Sequence, residues 1–217
     1  MKIGVFDSGV GGKSFASAIK KRFPDAKIIY KEDRENLPYG DKTPQELLVL
    51  SAPIFREFET EGADAVLVAC NSITTNIISE LRDIVDIPLV GVEPMIKPAI
   101  KISKTGAVAV CATPATLSSK RYRQLKLDNA EGVEVVEPDC SDWAFLIEHD
   151  RRPELRLKDM VDTLRNKKVD VIVLGCTHYH WIEDDVKAFA SPDIQVIQPI
   201  EPVLDQLELV LNNRKHK

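Results

Sequence analysis

The feature that most constrains this chain is that it nearly repeats itself. Val66-Leu67-Val68-Ala69-Cys70-Asn71-Ser72 recurs as Ile172-Val173-Leu174-Gly175-Cys176-Thr177-His178, and Ile3-Gly4-Val5-Phe6-Asp7-Ser8 is echoed by Val108-Ala109-Val110-Cys111-Ala112-Thr113, both at an offset of about 105 residues. Any two buried strands resemble each other in composition, but two pairs sharing one offset point to a copied half-chain. Each run is apolar and β-branched without polar alternation, the pattern of a strand buried on both faces. Between such runs lie stretches of helical period. One opens Thr43-Pro44-Gln45-Glu46, with an N-cap, a proline at the first helical position and a glutamate placed for a capping box. Strands alternating with helices need crossover connections and therefore parallel sheets covered on both faces. The fold class expected is α/β, with two similar lobes.

A length of 217 residues permits two domains of that kind. No Gly/Ser linker, charge block or low-complexity tract separates them. The net charge of −5, with lysine and arginine scattered, excludes the basic patch a nucleic-acid binder needs and leaves a small molecule as the expected partner. No apolar run has bilayer-spanning length, and Met1-Lys2-Ile3-Gly4-Val5-Phe6 leads directly into a strand without a signal-peptide core, so a cytoplasmic protein with no membrane contact is expected. Four scattered cysteines are then free thiols, each to be read as core filler, nucleophile or ligand.

Cys70 and Cys176 each end a buried strand and precede a polar step into a helix. That setting favours the thiolate, because the N-terminal end of a helix carries partial positive charge. Open α/β sheets place their ligands at the strands' carboxyl ends, so two such lobes would line a cleft with both thiols. Cys111, inside an apolar strand, and Cys140, in a loop, read as structural. Asp7-Ser8-Gly9-Val10-Gly11-Gly12-Lys13-Ser14 ends like a phosphate-binding loop but carries Asp7 where the first glycine belongs, and a carboxylate there would repel phosphates. It reads instead as a tight strand-to-helix turn with Asp7 and Ser8 projecting from it. Cys176-Thr177-His178-Tyr179-His180 raises the question of zinc, yet no second ligand pair at metal spacing accompanies it, so no metal is expected. His178 beside a reactive thiol makes a better proton-handling partner.

Phe6-Asp7-Ser8-Gly9-Val10-Gly11-Gly12, Leu37-Pro38-Tyr39-Gly40-Asp41-Lys42, Ala69-Cys70-Asn71, Ala112-Thr113-Pro114-Ala115-Thr116 and Gly175-Cys176-Thr177-His178-Tyr179 together resemble the signatures of bacterial glutamate racemases, in that family's order. The resemblance implies two pseudo-symmetric lobes, residues 1–92 plus 198–217 and residues 93–197, with the active site between them. It implies cofactor-independent racemisation supplying D-glutamate for peptidoglycan, with no pyridoxal phosphate and with a possible homodimer. Cys70 and Cys176 would alternate as thiolate base and thiol acid on opposite faces of the α-carbon. Asp7 would assist the first cysteine, His178 and Glu148 the second. Ser8, Pro38, Tyr39, Gly40, Asn71, Ser72, Thr113, Thr116 and Thr177 would line the substrate site.

The chain departs from the family pattern at Ile73, where a small residue is usual, at His180-Trp181 in place of Pro-Leu, and at Gln198-Pro199-Ile200 near the place of a late Asp-Ser-Gly element. These changes bear on side-chain specificity. A racemase for aspartate or another amino acid, and a catalytically silent amino-acid-binding or regulatory protein, stay open as alternatives.

Overall fold

The computed structural model describes residues 1–215. The chain divides into two units, Met1–Glu93 with the segment from Ile200 onward, and Pro94–Pro199. In chain order the first unit supplies β1 (Lys2–Asp7), α1 (Gly12–Arg22), β2 (Lys27–Glu32), α2 (Pro44–Thr60), β3 (Ala65–Val68), α3 (Asn71–Ile84) and β4 (Leu89–Gly91). The second supplies α4 (Ile96–Ile102), β5 (Ala107–Cys111), α5 (Pro114–Ser118), α6 (Lys120–Asn129), β6 (Glu134–Val136), α7 (Trp143–Glu148), α8 (Leu157–Asn166), β7 (Val171–Leu174), α9 (Glu183–Ala190) and β8 (Gln195–Ile197). The last helix, α10 (Ile200–Lys215), belongs to the first unit.

Both sheets are four-stranded and wholly parallel, in the orders β2-β1-β3-β4 and β6-β5-β7-β8. The copied sequence runs therefore occupy the same places: β1 and β5 are the second strands of their sheets, and β3 and β7 are the third. Register agrees too, with Phe6 opposite Val68 in one sheet and Cys111 opposite Leu174 in the other. The α/β reading from the strand pattern is borne out at the level of topology.

The strands are apolar on both sides because both sides are covered. In the first unit Ile3, Val5, Ala65 and Leu67 meet Phe15 and Ile19 of α1 and Val203, Leu204, Leu207 and Leu211 of α10. The other face sets Phe6, Val66 and Val68 against Leu47, Phe55 and Phe58 of α2 and Ile73, Ile77 and Leu81 of α3. In the second unit Val108, Val110, Val171 and Val173 meet Ile96, Ala99 and Tyr122, while Ala109, Cys111, Ile172 and Leu174 meet α7, α8 and α9. Each large side chain so buried contributes about 1.5–3 kcal/mol. Helix α2 begins as its sequence requires: Thr43 accepts from the Glu46 backbone N–H, and the Glu46 carboxylate accepts from the Thr43 N–H at 2.8 Å.

The two sheets present their carboxyl ends to loops that carry nearly all the candidate residues. Asp7 closes β1, Cys70 lies two residues past β3, Thr113 two past β5 and Cys176 two past β7.

Candidate active site

In the first unit Asp7 and Ser8 leave β1 into the glycine turn, and both are buried. Asp7 Oδ2 accepts from the Gly12 N–H at 2.8 Å and from the Gly9 N–H at 3.2 Å. The carboxylate thus fills the turn from within. A Cβ at Gly12 would stand 2.7 Å from the Asp7 Cβ, so only glycine lets α1 start this close to the strand. A loop already occupied by a carboxylate is the opposite of a phosphate cradle, in agreement with the sequence.

Cys70 is the N-cap of α3, so the first amides of a 14-residue helix open beside its sulfur. Its thiol lies 3.7 Å from the Ser8 hydroxyl. Asn71, only 3% exposed, has neither its amide nitrogen nor its amide oxygen hydrogen-bonded within the protein. Leaving both ends of a buried amide unsatisfied within the protein costs about 1–3 kcal/mol per group. Ser72 follows it in the same buried turn.

Tyr39 is buried, while the adjoining Pro38 is exposed and Gly40 half-buried. The Tyr39 hydroxyl donates to Asp33 Oδ2 at 2.6 Å. Burial, then the Asp33 bond, raise the phenol's pKa far above its ordinary value, so Tyr39 is a neutral donor. Its ring lies 6.3 Å from that of Phe6, the residue before Asp7.

In the second unit Cys176 is followed by a 3-10 helix, Thr177–Ile182, before α9 begins. The helix expected directly after the thiol is thus a tighter 3-10 turn, whose i to i+3 spacing brings Tyr179 N–H onto the Cys176 carbonyl at 3.0 Å. It also lets His178 fold back: its Nδ1 is 3.8 Å from Cys176 Sγ and its Nε2 is 2.9 Å from Glu148 Oε2. The His178 and Glu148 side chains are 5% and 6% exposed. Thiol, imidazole and carboxylate stand in one line, with Glu148 brought from α7 to fix the ring's orientation. Two positions on, burial and the neighbouring His178 charge lower the His180 pKa to about 4, so this second imidazole is neutral near pH 7.

Thr113 and Thr116 are buried at the start of α5. Thr113 Oγ1 accepts from the Thr116 N–H and donates to Thr116 Oγ1 at 3.1 Å, so it caps the helix as well as facing the sheet edge. Thr177 opens the 3-10 turn and is likewise buried. Asp7, Ser8, Tyr39, Cys70, Asn71 and Ser72 are gathered in the first unit, and Cys176, Thr177, His178 and Glu148 in the second. Asp33 is a positioning residue the sequence did not reveal. Its only local signal is a turn to Asn36, and its bond to Tyr39 becomes visible only once the chain is folded.

The family model for Asp/Glu/hydantoin racemases matches residues 13–207 of this chain. A glutamate racemase of Clostridium perfringens (strain 13 / Type A) is 35% identical over 214 residues, which cover 95% of this chain and 81% of that protein. Among solved structures, Escherichia coli glutamate racemase, in complex with L-glutamate and the activator UDP-MurNAc-Ala, matches with a TM-score of 0.86 at 28% identity, covering 97% of this chain and 82% of that one. Glutamate racemase of Francisella tularensis subsp. tularensis, in complex with D-glutamate, matches with a TM-score of 0.82 at 26% identity over 99% and 82%.

Proposed function

The chain belongs to the Asp/Glu/hydantoin racemase family, and from that premise we propose that it interconverts L- and D-glutamate with Cys70 and Cys176 as its two bases. The observation that carries this reading is the equivalence of the two thiols: each lies two residues past the third strand of the same parallel topology, and each has its own polar partner.

Inverting an α-carbon means removing its proton from one face and delivering another to the opposite face, so base and acid must flank the substrate. With one enantiomer Cys70 is the thiolate that takes the proton and Cys176 the thiol that gives one; with the other the roles exchange. His178, oriented by Glu148, holds or returns the proton at Cys176. The Ser8 hydroxyl steadies the Cys70 sulfur. The carbanion is stabilised by fixed donors rather than by an electron sink. Asn71, with both ends of its amide unsatisfied, and the first amides of α3 grip the carboxylates; Ser72, Thr113, Thr116 and Thr177 add hydroxyls, and Pro38, Tyr39 and Gly40 bound the side-chain end.

The enzyme acts in the cytoplasm, as a homodimer, and supplies D-glutamate for cell-wall peptidoglycan. Among the described residues no helix is long and apolar enough to cross a membrane, which supports the cytoplasmic placement. Light scattering tests the dimer.

The deciding experiment incubates the purified protein with L-glutamate, and separately with L-aspartate, in D2O without added cofactor. Loss of the α-proton by NMR and of optical rotation by polarimetry is expected with glutamate. The same losses confined to aspartate would reassign the substrate, and no exchange with either would remove the racemase reading.

A further inference from the structure

Thr113 and Thr116 are the near end of a longer run of hydrogen bonds, which leads from the carboxyl end of β5 through α5 and α6 to the outer strand β6. Ser119 ends α5 and caps α6. Its hydroxyl donates to the Thr116 carbonyl at 2.7 Å and accepts from the Tyr122 N–H at 3.1 Å, so it ties the two short helices together. The Tyr122 hydroxyl in turn donates to Glu137 Oε1 at 2.9 Å, and Lys126 Nζ, one turn further along α6, reaches the same oxygen at 2.6 Å. Glu137 is the first residue past β6. Ser119 and Tyr122 are buried, and the tyrosine packs among Val108, Val110, Val171 and Val173 of β5 and β7. Burial first, and the Glu137 bond second, raise the Tyr122 pKa far above its ordinary value, so the phenol is a fixed neutral donor.

The first unit holds a tyrosine by the same means. Asp33 is the first residue past β2 and accepts from the Tyr39 hydroxyl at 2.6 Å. Strands β2 and β6 occupy the same outer place in their sheets, so a carboxylate at one equivalent point anchors a buried tyrosine in each unit. A hydrogen bond to a carboxylate is roughly twice as strong as one between neutral groups, which suits both carboxylates to fixing a loop or helix start. The two tyrosines then differ in reach. Tyr39 bounds the substrate's side-chain end itself, whereas Tyr122 has Ser119, Thr116 and Thr113 in front of it.

We propose that Tyr122, anchored by Glu137, is a positioning residue for substrate recognition, acting through Ser119 and Thr116 on the Thr113 hydroxyl. Thr113 is the accessible end of the run, 7% exposed against 0% for Thr116. Thr116 fixes it twice, with its N–H at 3.4 Å and its own hydroxyl at 3.1 Å from Thr113 Oγ1. Thr116 is held by its carbonyl to Ser119, Ser119 to the first turn of α6, and α6 to Glu137. Slack at the far end therefore reaches Thr113 along bonds that are each short and buried, and it changes how well the hydroxyl meets a ligand without touching either thiol. The proposal rests on the racemase reading.

The test is steady-state kinetics of the full-length enzyme from L- and from D-glutamate, followed by circular dichroism. Tyr122→Phe keeps the ring and its packing but cuts the bond to Glu137. It should raise KM about three- to ten-fold from both enantiomers, the range for one lost hydrogen bond, and leave kcat within about two-fold. Thr113→Ala should raise KM by about ten-fold, and in that background Tyr122→Phe should add less than about two-fold, because the hydroxyl it positions is gone. Ser119→Ala should reproduce the KM rise of Tyr122→Phe, and Ser119→Thr, which keeps the hydroxyl, should undo it. An unchanged KM in Tyr122→Phe would overturn the proposal. So would a Tyr122→Phe factor as large in the Thr113→Ala background as in the wild type, which is what a merely structural tyrosine gives. Both outcomes leave the racemase reading standing if the wild type is active; a wild type that racemises no glutamate removes that reading and the proposal with it.

Discussion

The two units finish the same frame in different ways. At equivalent points, the last core residue of the second strand in the sheet, the first unit has Phe6 and the second has Cys111. Behind Cys70 this gives an aromatic wall, Phe6 lying 5.1 Å from Phe55 and 6.3 Å from Tyr39 between ring centroids. Behind Cys176 it gives thiols and the Trp143–Tyr179 pair, edge to face at 5.2 Å. The partners of the two thiols differ as well: a neutral serine hydroxyl for Cys70, and a histidine aligned by a buried glutamate for Cys176. The lesson is that copying an α/β unit copies the position of a strand-end residue but not its electrostatics. Placement comes from parallel pairing and register. The protonation state comes from side chains contributed by turns and helices, which the two units have varied freely.

The largest effect comes from breaking the symmetry at the thiols themselves. Cys70→Ser and Cys176→Ser should each lower kcat for racemisation by about 10³-fold or more, within the range expected for losing a positioned acid or base. Each variant should retain α-proton exchange with deuterium on one enantiomer only, and on opposite enantiomers in the two variants. Racemisation within ten-fold of wild type in either variant would sink the two-base reading. The next effect sharpens the difference between the partners. His178→Asn should cost about 10²-fold in kcat, whereas Ser8→Ala should cost nearer ten-fold, because a hydroxyl contact steadies a sulfur without exchanging a charge with it. Equal losses, measured from each enantiomer by circular dichroism, would show that the imidazole does no more than the hydroxyl.

The repeat made this comparison legible before any coordinates. Copied runs such as Ala65–Val68 and Val171–Leu174 are buried from end to end, so their lack of alternation identified parallel strands. The capping box at Thr43 was equally plain because it is a local device. The outer strands were not. β2 carries Lys27, Lys31 and Glu32 and is fully buried at none of its positions, and β6 and β8 are three residues each, so none makes a periodic signal. The candidate site divides the same way. Cys70 and Cys176 were readable from the copied motifs, Asp7 and Ser8 from the glycine turn and the family resemblance, and His178 from its spacing to the thiol. The Asp33–Tyr39 bond and the Tyr179–Cys140 bond join segments whose meeting depends on tertiary packing. Neither leaves a mark in local composition.

A backbone comparison gives a middle-sized effect. Gly12→Ala forces a methyl group within 2.7 Å of the Asp7 Cβ, while Gly175→Ala meets the Cys111 carbonyl at 3.0 Å and the Ala112 Cβ at 3.4 Å. Overpacking of this kind costs about 1–3 kcal/mol, and Gly12→Ala should sit at the higher end. Urea denaturation measures both. Gly175→Ala should displace Cys176 more than it destabilises the unit, so its activity loss should exceed what its stability loss accounts for; the reverse order would mean that the Gly175 turn is not what positions the thiol.

The smallest effect separates the units by pH. His180 has a folded-state pKa lowered to about 4 by burial and by the charge of His178, against an unfolded value of 6.5. Between those values the unfolded chain binds a proton that the folded protein refuses, so folding stability falls as pH drops from about 6.5 toward 4 and levels off below it. The full shift corresponds to roughly 3 kcal/mol, and relaxation around the partly buried ring should reduce it to about 1–2 kcal/mol. Among the described residues the first unit contains no histidine, so this term belongs to the second unit alone. Both tryptophans, Trp143 and Trp181, also lie there, so their fluorescence reports on that unit selectively. Urea midpoints followed by tryptophan fluorescence should fall between pH 6.5 and 4.5, and His180→Gln should remove most of that fall while leaving the midpoint near pH 7.5 little changed. If the variant shows the same acid slope as the wild type, the proton is taken up elsewhere.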